Sequence, residues 1–457
     1  MASLLKRQNL FYFLLWPFIK AYSKPKAIAL NILQQPNKAF PVVDFLKGLS
    51  VLMVILFHIF FAVFFLFKKQ PEQLQAFIDS IPVALNFVLA FDKAVDIFFM
   101  LSSFLLTFAL LKVFSKKQKI DIGRFYLHRF FRIYPLFVVA LLLYGLADIE
   151  KLLRDGWYSL LFIENIYSKG IIPVQWSLSI EMQFYLVLPF LVLFLARSYH
   201  PIKWLMLFIV ISICARFLLA LSDADIYQTH WYQMMDTAQG KIYMDTMYYV
   251  IQSRITPLLL GMLWALILWR YPQQTLQSSQ PLKLAVWLPG LVIIYLTLSF
   301  PVYAKSSFYY ENFNEQINLL LVTLHRILFS TAILVLVLFS YYQLQQSPQT
   351  FWQKTKKTFI NCRAWRLLSE VAYPMYFFHF PFIILAWAIT LGTTDVASIN
   401  VIPLYLIPIT FVLAVLFTLY FSLWLNFLVE ARFIQIGKLI ETKWFGGHNA
   451  HANKDLS

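Results

Sequence analysis

The chain has 457 residues, of which 60% are hydrophobic and only 13% are charged. This apolar content is well above that of soluble domains and indicates a polytopic membrane protein. The formal net charge of +16 is also typical of nucleic-acid-binding proteins. However, most of the 38 lysines and arginines fall in short segments between apolar runs. The basic excess therefore follows the positive-inside rule, and no nucleic-acid partner is expected.

The predicted elements begin with an interfacial amphipathic segment over residues 1–40, in which a short apolar run extends from Leu10 to Ile19. About ten longer runs follow, each long enough to cross a bilayer as an α-helix. They lie near 45–67, 91–113, 132–148, 180–197, 204–221, 248–269, 284–303, 317–342, 370–392 and 401–429. The pattern predicts an all-α transmembrane domain over residues 41–435 and a polar cytoplasmic tail over residues 436–457. Both termini are expected in the cytoplasm.

The connection between the third and fourth runs, residues 149–179, is the longest on the outer side. Its apolar stretch from Trp157 to Ile163 is shorter than a span. We expect this stretch to be either re-entrant or interfacial.

Asp44 and His58 in the first run are 14 residues apart. On one helix they share a face and lie about 21 Å apart along the axis. The Asp44 carboxylate is then expected at the membrane surface and the His58 imidazole near mid-depth. An ionisable group within a span is costly, so His58 is the first candidate for catalysis. The alternative is a histidine that packs between helices and bonds a backbone carbonyl.

A basic cluster lies where the third run begins. Arg129 and Arg132 are three residues apart and share a helical face. Arg124 adds to the positive electrostatic potential of this cluster. Guanidinium groups bind phosphate bidentately, so the cluster suits a phosphorylated ligand from the cytoplasm. The alternative is purely topological, since cytoplasmic helix ends commonly carry Arg and Lys.

Polar residues also mark the outer side. Trp176 and Ser179 lie just before the fourth run, and Glu181 lies at its beginning. Glu181 suits a hydrogen bond to a sugar hydroxyl or an ion pair with Arg254, which opens the sixth run. A helix-start carboxylate stabilised by the helix dipole is the competing interpretation. Asp96 lies inside the second run and needs a partner, which makes it structural or catalytic.

The ninth run contains Tyr376 and His379, which are three residues apart and face the same way. Pro381 is expected to kink the helix beside them. No histidine or cysteine spacing in the chain is typical of a metal site, so no metal is predicted.

Taken in order, these motifs resemble the membrane-bound acyltransferase-3 family over about residues 40–435. They are Asp44-x-x-Lys47-Gly with His58, Val-Asp96-Ile-Phe-Phe-x-Leu-Ser102, Arg129-x-x-Arg132-Ile-Tyr-Pro135, Gln-Trp176-Ser-Leu-Ser179-x-Glu181, Ser-Arg254 with Gly261, and Tyr-Pro-Met-Tyr376-x-x-His379. Two positions depart from the family pattern. Lys47 stands where Arg is usual, which keeps the positive charge but removes the guanidinium group and its paired N–H donors. Ser103 stands where Gly is usual, which is expected to alter close helix packing.

Members of this family transfer acyl groups, typically acetyl from acetyl-CoA, to hydroxyls of envelope polysaccharides and related acceptors. The resemblance implies a membrane O-acyltransferase of the bacterial inner membrane, with acetyl-CoA as a donor substrate and no tightly bound cofactor. It implies an envelope glycan or lipid-linked sugar as acceptor, His58 as the catalytic histidine, and Arg129 and Arg132 as the donor motif. We predict the following roles: catalysis by His58, Glu181 and Asp44; donor binding by Arg129, Arg132, Arg124 and Lys47; acceptor binding by Trp176, Ser179, Arg254, Tyr376, His379 and Asp96.

A transporter or flippase of a lipid-linked glycan is the alternative function, because it would also need ionisable residues inside the membrane. It predicts internal repeats and paired broken helices, which the sequence does not show. A non-catalytic scaffold would leave the polar residues on several spans unexplained. Within the acyltransferase hypothesis, His58 can act as a general base or form an acyl-histidine intermediate.

Overall fold

The computed structural model describes residues 25–35, 40–67, 70–167, 169–230, 238–272, 280–300, 311–344, 351–395 and 398–445. Within these residues, ten helices are long and apolar enough to cross a membrane, as predicted. They are α1 (Pro41–Leu66), α2 (Ala94–Lys117), α3 (Ile122–Gly145), α4 (Gln175–Arg197), α5 (Pro201–Leu221), α6 (Ile251–Arg270), α7 (Gln280–Leu298), α8 (Glu315–Leu344), α9 (Ala372–Leu391) and α10 (Leu406–Leu425).

Shorter helices precede α1 or occupy the connections between these spans. They are Pro25–Gln34, Pro71–Ser80, Ile149–Leu160, Glu164–Tyr167, Asp225–Gln228, Ala238–Tyr243, Phe351–Ile360 and Arg363–Glu370. A 3₁₀ helix, Val83–Lys93, leads into α2. A π-helical turn, Asn426–Glu430, joins α10 to a terminal helix, Ala431–Phe445. The predicted interfacial run Leu10–Ile19 and the tail from residue 446 lie outside the described residues.

An even number of crossings places the beginning of α1 and the end of α10 on the same side of the membrane. We call this the inner side, which the basic segments predict to be cytoplasmic, and we call the opposite side the outer side. The even-numbered helices therefore begin on the outer side. The stretch Trp157–Ile163 is too short to span: its first residues form the end of the short helix Ile149–Leu160, and its last three precede the short helix Glu164–Tyr167 on that side.

The closest helix pair is α2 with α6. A Cβ added at Gly261 would lie 2.2 Å from the carbonyl oxygen of Met100, so only glycine permits this approach. One turn away, the Ser103 hydroxyl donates to the Leu258 carbonyl at 2.6 Å. The serine that departs from the family pattern is therefore fully buried and hydrogen-bonded within this close interface.

The beginning of α1 is attached to the inner helix Arg363–Glu370. The Ser369 hydroxyl donates to Asp44 Oδ1 at 2.7 Å, and a Cβ at Gly48 would lie 3.0 Å from the Trp365 ring. Together, the carboxylate and the glycine let this helix lie directly on α1. The contact holds the inner end of α1, which is the helix that carries His58.

Candidate active site

Two histidines join α1 to α9 inside the bundle. His379 Nε2 lies 3.0 Å from His58 Nδ1, and the two ring centroids are 4.7 Å apart. His379 is fully buried, whereas His58 is half-buried. Asp44 lies in the same unbroken helix, about 21 Å from His58 along its axis. The structure therefore does not bring Asp44 to the histidine pair.

Backbone carbonyls around this pair determine where its protons lie. His379 Nδ1 is 2.7 Å from the carbonyl oxygen of Tyr376, and His58 Nδ1 is 2.9 Å from that of Val54. A carbonyl oxygen only accepts, so in the neutral rings each Nδ1 carries the hydrogen. The single hydrogen on His58 Nδ1 is then shared between the Val54 carbonyl and His379 Nε2, which both accept, and His58 Nε2 keeps an unprotonated lone pair. This arrangement makes His58 Nε2 a base and makes His379 the group that orients it.

Hydroxyl groups lie one turn of α9 away from the pair. The Tyr376 hydroxyl is 2.6 Å from Ser177 Oγ at the start of α4, and it donates to the Val174 carbonyl at 3.3 Å. Hydroxyls in such a position can orient a sugar or donate to a developing oxyanion. Among the described residues, no group of three His, Cys, Asp or Glu side chains is placed to hold a metal ion.

Glu181 faces the interior of the bundle. Tyr185 donates to Glu181 Oε1 at 2.5 Å, and Ser102 of α2 hydrogen-bonds to the same tyrosine. The cations that act on this carboxylate are Lys47 of α1 and Arg129 of α3. Glu181 therefore lies within electrostatic range of Arg129 in the predicted donor motif. Lys47, at the position where arginine was expected from the resemblance, keeps a positive charge near this carboxylate.

The arginines predicted to bind the donor differ in their surroundings. Arg129 is half-buried, and its Nε has no hydrogen-bond partner in the described part of the chain, while Arg132 is exposed. Arg124 Nε instead forms an ion pair of 2.5 Å with Glu441 in the terminal helix. His128 Nε2 lies 2.7 Å from the same carboxylate. Arg129 and Arg132 can therefore bind an anionic ligand without breaking an observed ion pair, and Arg124 cannot.

A separate ion cluster is buried in the outer half of the bundle. Arg254 Nη1 of α6 lies 3.0 Å from Asp96 Oδ1 of α2, and Arg326 Nη1 of α8 lies 2.8 Å from Asp96 Oδ2. Arg326 also pairs with Asp92. Arg254 therefore pairs with Asp96, and the ion pair with Glu181, one of the two roles that the sequence suggested for that carboxylate, is not formed. Packing of α6 against α2 brings Arg254 to Asp96, which is fully buried and needs the cation.

Trp176 and Ser179 belong to two different environments. The Arg254 guanidinium lies 4.9 Å above the Trp176 ring, a cation–π contact. Ser179 Oγ lies 2.7 Å from both carboxyl oxygens of Glu164, in the connection before α4. Burial raises the pKa of Glu164 to about 7. A protonated carboxyl donates with one oxygen and accepts with the other, which satisfies both contacts. Ser179 thereby attaches this connection to α4.

Sequence comparison connects this geometry to a known chemistry. The model of the acyltransferase-3 family, described as an acyltransferase domain, matches residues 40–427, which is most of the chain. The chain belongs to the acyltransferase-3 family.

Several named relatives of this acyltransferase-3 chain match only part of it. O-acetyltransferase OatA from Staphylococcus aureus is 23% identical over 313 residues, covering 64% of this chain and 45% of that protein. Peptidoglycan O-acetyltransferase OatA from Listeria monocytogenes is 31% identical over 186 residues, 36% of this chain and 26% of that protein. An uncharacterized protein from Haemophilus influenzae is 27% identical over 193 residues, 37% of this chain and 73% of that protein. The chain thus spans less than half the length of both OatA proteins. No solved structure gives a significant match.

Two arginines in the outer cluster of this acyltransferase-3 chain are missing from the sequence predictions. Arg326 lies inside the eighth apolar run and Arg216 inside the fifth, so the rule that selects His58 also selects them. Glu164 is missing as well. It follows a short apolar stretch in a connection, and nothing in its local sequence shows that it is buried.

Proposed function

We propose that this protein is a membrane O-acyltransferase that moves an acyl group, acetyl in the simplest case, from acyl-CoA to a hydroxyl of an envelope polysaccharide or lipid-linked glycan. The observation that carries the proposal is the His58–His379 pair, whose hydrogen bonds leave a basic lone pair on His58. Family membership supports acyl transfer. Relatives named O-acetyltransferase support an acetyl donor and a hydroxyl acceptor. We place the enzyme in the inner membrane of a bacterium.

In this proposal the donor docks from the inner side. Arg129 and Arg132 bind the phosphates of acyl-CoA, because charge-assisted bonds to guanidinium groups are strong and geometrically specific. Lys47 and Arg129 both lie within electrostatic range of Glu181, whose side chain accepts from Tyr185 inside the bundle. The extended pantetheine arm then brings the thioester toward His58.

The transfer step uses the lone pair on His58 Nε2. This atom removes the proton of the acceptor hydroxyl while the hydroxyl oxygen attacks the thioester carbonyl carbon. The tetrahedral intermediate collapses as its carbon–sulfur bond breaks, and the departing thiolate takes the proton from His58. The products are the ester and CoA. Alternatively, the same lone pair first accepts the acyl group, and the acceptor hydroxyl then attacks the acyl-histidine.

Neighbouring groups support both routes. His379 orients the imidazole and accepts from Nδ1 of the imidazolium that forms during general-base transfer. The Tyr376 ring centroid lies 6.1 Å from that of His379. The Tyr376 hydroxyl and its neighbour, the Ser177 hydroxyl, would donate to the oxyanion of the tetrahedral intermediate by turning from their present acceptor, the Val174 carbonyl.

Transfer by purified protein in proteoliposomes tests this function. The probe is acetyl-CoA labelled in its acetyl group, and the readout is label recovered in envelope glycan isolated from the source bacterium. His58→Gln should reduce transfer by about 10²- to 10⁴-fold, the usual contribution of a general base. The matched control is His200→Gln, because His200 is exposed in the connection between α4 and α5. Transfer at the wild-type rate by correctly inserted His58→Gln protein would rule out the proposal.

A further inference from the structure

The ion cluster in the outer half of the bundle contains more positive than negative charge. Its two carboxylates belong to Asp92 and Asp96, and its buried guanidinium groups belong to Arg216, Arg254 and Arg326. Lys93 is fully buried beside them and donates to the Phe300 carbonyl at 2.6 Å. Even without the lysine, three arginines in the described residues share two carboxylates.

Both carboxylates of the cluster already form ion pairs with arginines. Asp96 pairs with Arg254 and Arg326, and Asp92 pairs with Arg326. Arg216 contacts neither carboxylate in the bonds described for it: it donates to three backbone oxygen atoms at 2.7 to 2.9 Å, and its Nη2 lies 3.5 Å from His325 Nε2. These acceptors are the carbonyls of Ser253, Val322 and Thr323.

Three nitrogen atoms in this cluster have no hydrogen-bond partner among the described residues. They are Arg254 Nη2, Arg326 Nε and His325 Nδ1. All three side chains are at least nine-tenths buried. Buried donors without acceptors and buried charge without a counter-charge are both costly, most of all inside a membrane. An anion with two or more oxygen atoms would satisfy both deficits.

The cluster is adjacent to the candidate active site. The Arg254 guanidinium packs on Trp176, and the next residue, Ser177, contacts Tyr376 at 2.6 Å. Tyr376 lies one turn before His379 on α9. A ligand bound by the cluster could therefore extend along the start of α4 toward the histidine pair.

We propose that this cluster binds an oxyanion, a carboxylate or a phosphate, carried by the acceptor glycan. Guanidinium forks match the geometry of both groups. The site selects acidic or phosphorylated acceptors over neutral ones and holds them from the outer side. Assigning the anion to the acceptor rests on the proposed function, whereas anion binding itself does not.

Thermal unfolding of the purified protein in detergent, without any acyl donor, tests anion binding. The probes are sodium phosphate and sodium glucuronate, with ionic strength matched by sodium chloride and with glucose as the neutral sugar. At least one oxyanion should raise the unfolding midpoint saturably, and glucose should not. A response to phosphate alone identifies a phosphorylated acceptor, and a response to glucuronate alone identifies an acidic sugar. No response to either oxyanion overturns the proposal.

Two variants separate a binding site from a purely structural ion network. Arg254→Lys keeps the charge and removes Nη2. His325→Asp places a carboxylate beside Arg216, whose Nη2 lies 3.5 Å from Nε2 of the histidine that it replaces. Both should weaken oxyanion affinity at least tenfold. His325→Asp should also unfold no lower than wild type without anions, because the chain then supplies the missing negative charge. Lys241→Gln, which removes an exposed cation on the outer side, is the control and should respond like wild type.

An equal response in all four proteins would overturn the proposal, because the anion would then bind elsewhere. The same titration in phosphatidylcholine nanodiscs separates an acceptor from a lipid headgroup. The response should persist there, and its loss would mean that a lipid phosphate occupies the cluster. Anion binding without any glycan acylation would contradict the proposed function and leave the anion site standing.

Discussion

Replacement of His379 by leucine tests the hydrogen bond that orients the proposed base. The substitution removes one of the two acceptors of His58 Nδ1, but the Val54 carbonyl at 2.9 Å still holds the neutral tautomer. The loss therefore falls on the imidazolium that forms as His58 takes the proton. A hydrogen bond to a charged group contributes about 1.5–3 kcal/mol. This corresponds to a decrease in kcat of about 10- to 150-fold.

Steady-state transfer with varied acceptor concentration distinguishes this positioning role from acceptor binding, the role predicted from the sequence for His379. If His379 only orients His58, kcat falls in His379→Leu while the acceptor KM stays unchanged. His379→Gln should recover much of the rate, since its amide oxygen can accept from His58 Nδ1. A raised acceptor KM with an unchanged kcat would refute the positioning role.

Three other comparisons test the surroundings of the site. Arg129→Ala should weaken acetyl-CoA binding in equilibrium dialysis by about tenfold or more. Arg124→Ala should weaken it less, because the Arg124 guanidinium pairs with the terminal helix. Equal losses of affinity would contradict the assignment of Arg129 to the donor site. Burial raises the pKa of Glu164 to about 7, because the folded state favours the protonated carboxyl. The resulting contribution of Glu164 to stability is complete at a pH below the ordinary pKa of a glutamate and is lost as the pH rises through about 7. Hydrogen exchange over residues 149–175, corrected for intrinsic rates, should show protection falling over this range in wild type and staying constant in Glu164→Gln. Gly261→Ala should lower the free energy of unfolding by about 1–3 kcal/mol in denaturant titrations. Gly290→Ala should lower it less, because the nearest neighbour of Gly290 is a leucine side chain that can move. Equal losses of stability would contradict the close approach of α2 and α6.

The ten spans could be predicted from the sequence because apolar length and basic flanks are local properties. The prominence of His58 also followed locally, from the cost of an ionisable group within a span. Its partner did not. His379 is 321 residues away along the chain, and only the packing of α9 against α1 brings the rings together.

Ion-pair partners within the membrane are the least predictable part of the site. Glu181 and Arg254 have opposite charges, and both lie near the outer beginning of an apolar run. Which of them meet depends on how each helix is rotated and how deep it sits. Gly261 allows α6 to pack closely against α2, and this packing places Arg254 beside Asp96. Helix rotation is a property of the whole bundle, and no local pattern encodes it.

Sealed membrane vesicles of the two orientations test most directly whether His58 joins an inner-side donor to an outer-side acceptor. Acetyl-CoA labelled in its acetyl group is added outside vesicles that contain endogenous glycan, and label in the glycan is measured. Inside-out vesicles with wild-type protein should label the glycan, right-side-out vesicles should do so only after permeabilisation, and His58→Gln should label it in neither. Equal labelling of sealed right-side-out vesicles would contradict transfer across the membrane from an inner-side donor.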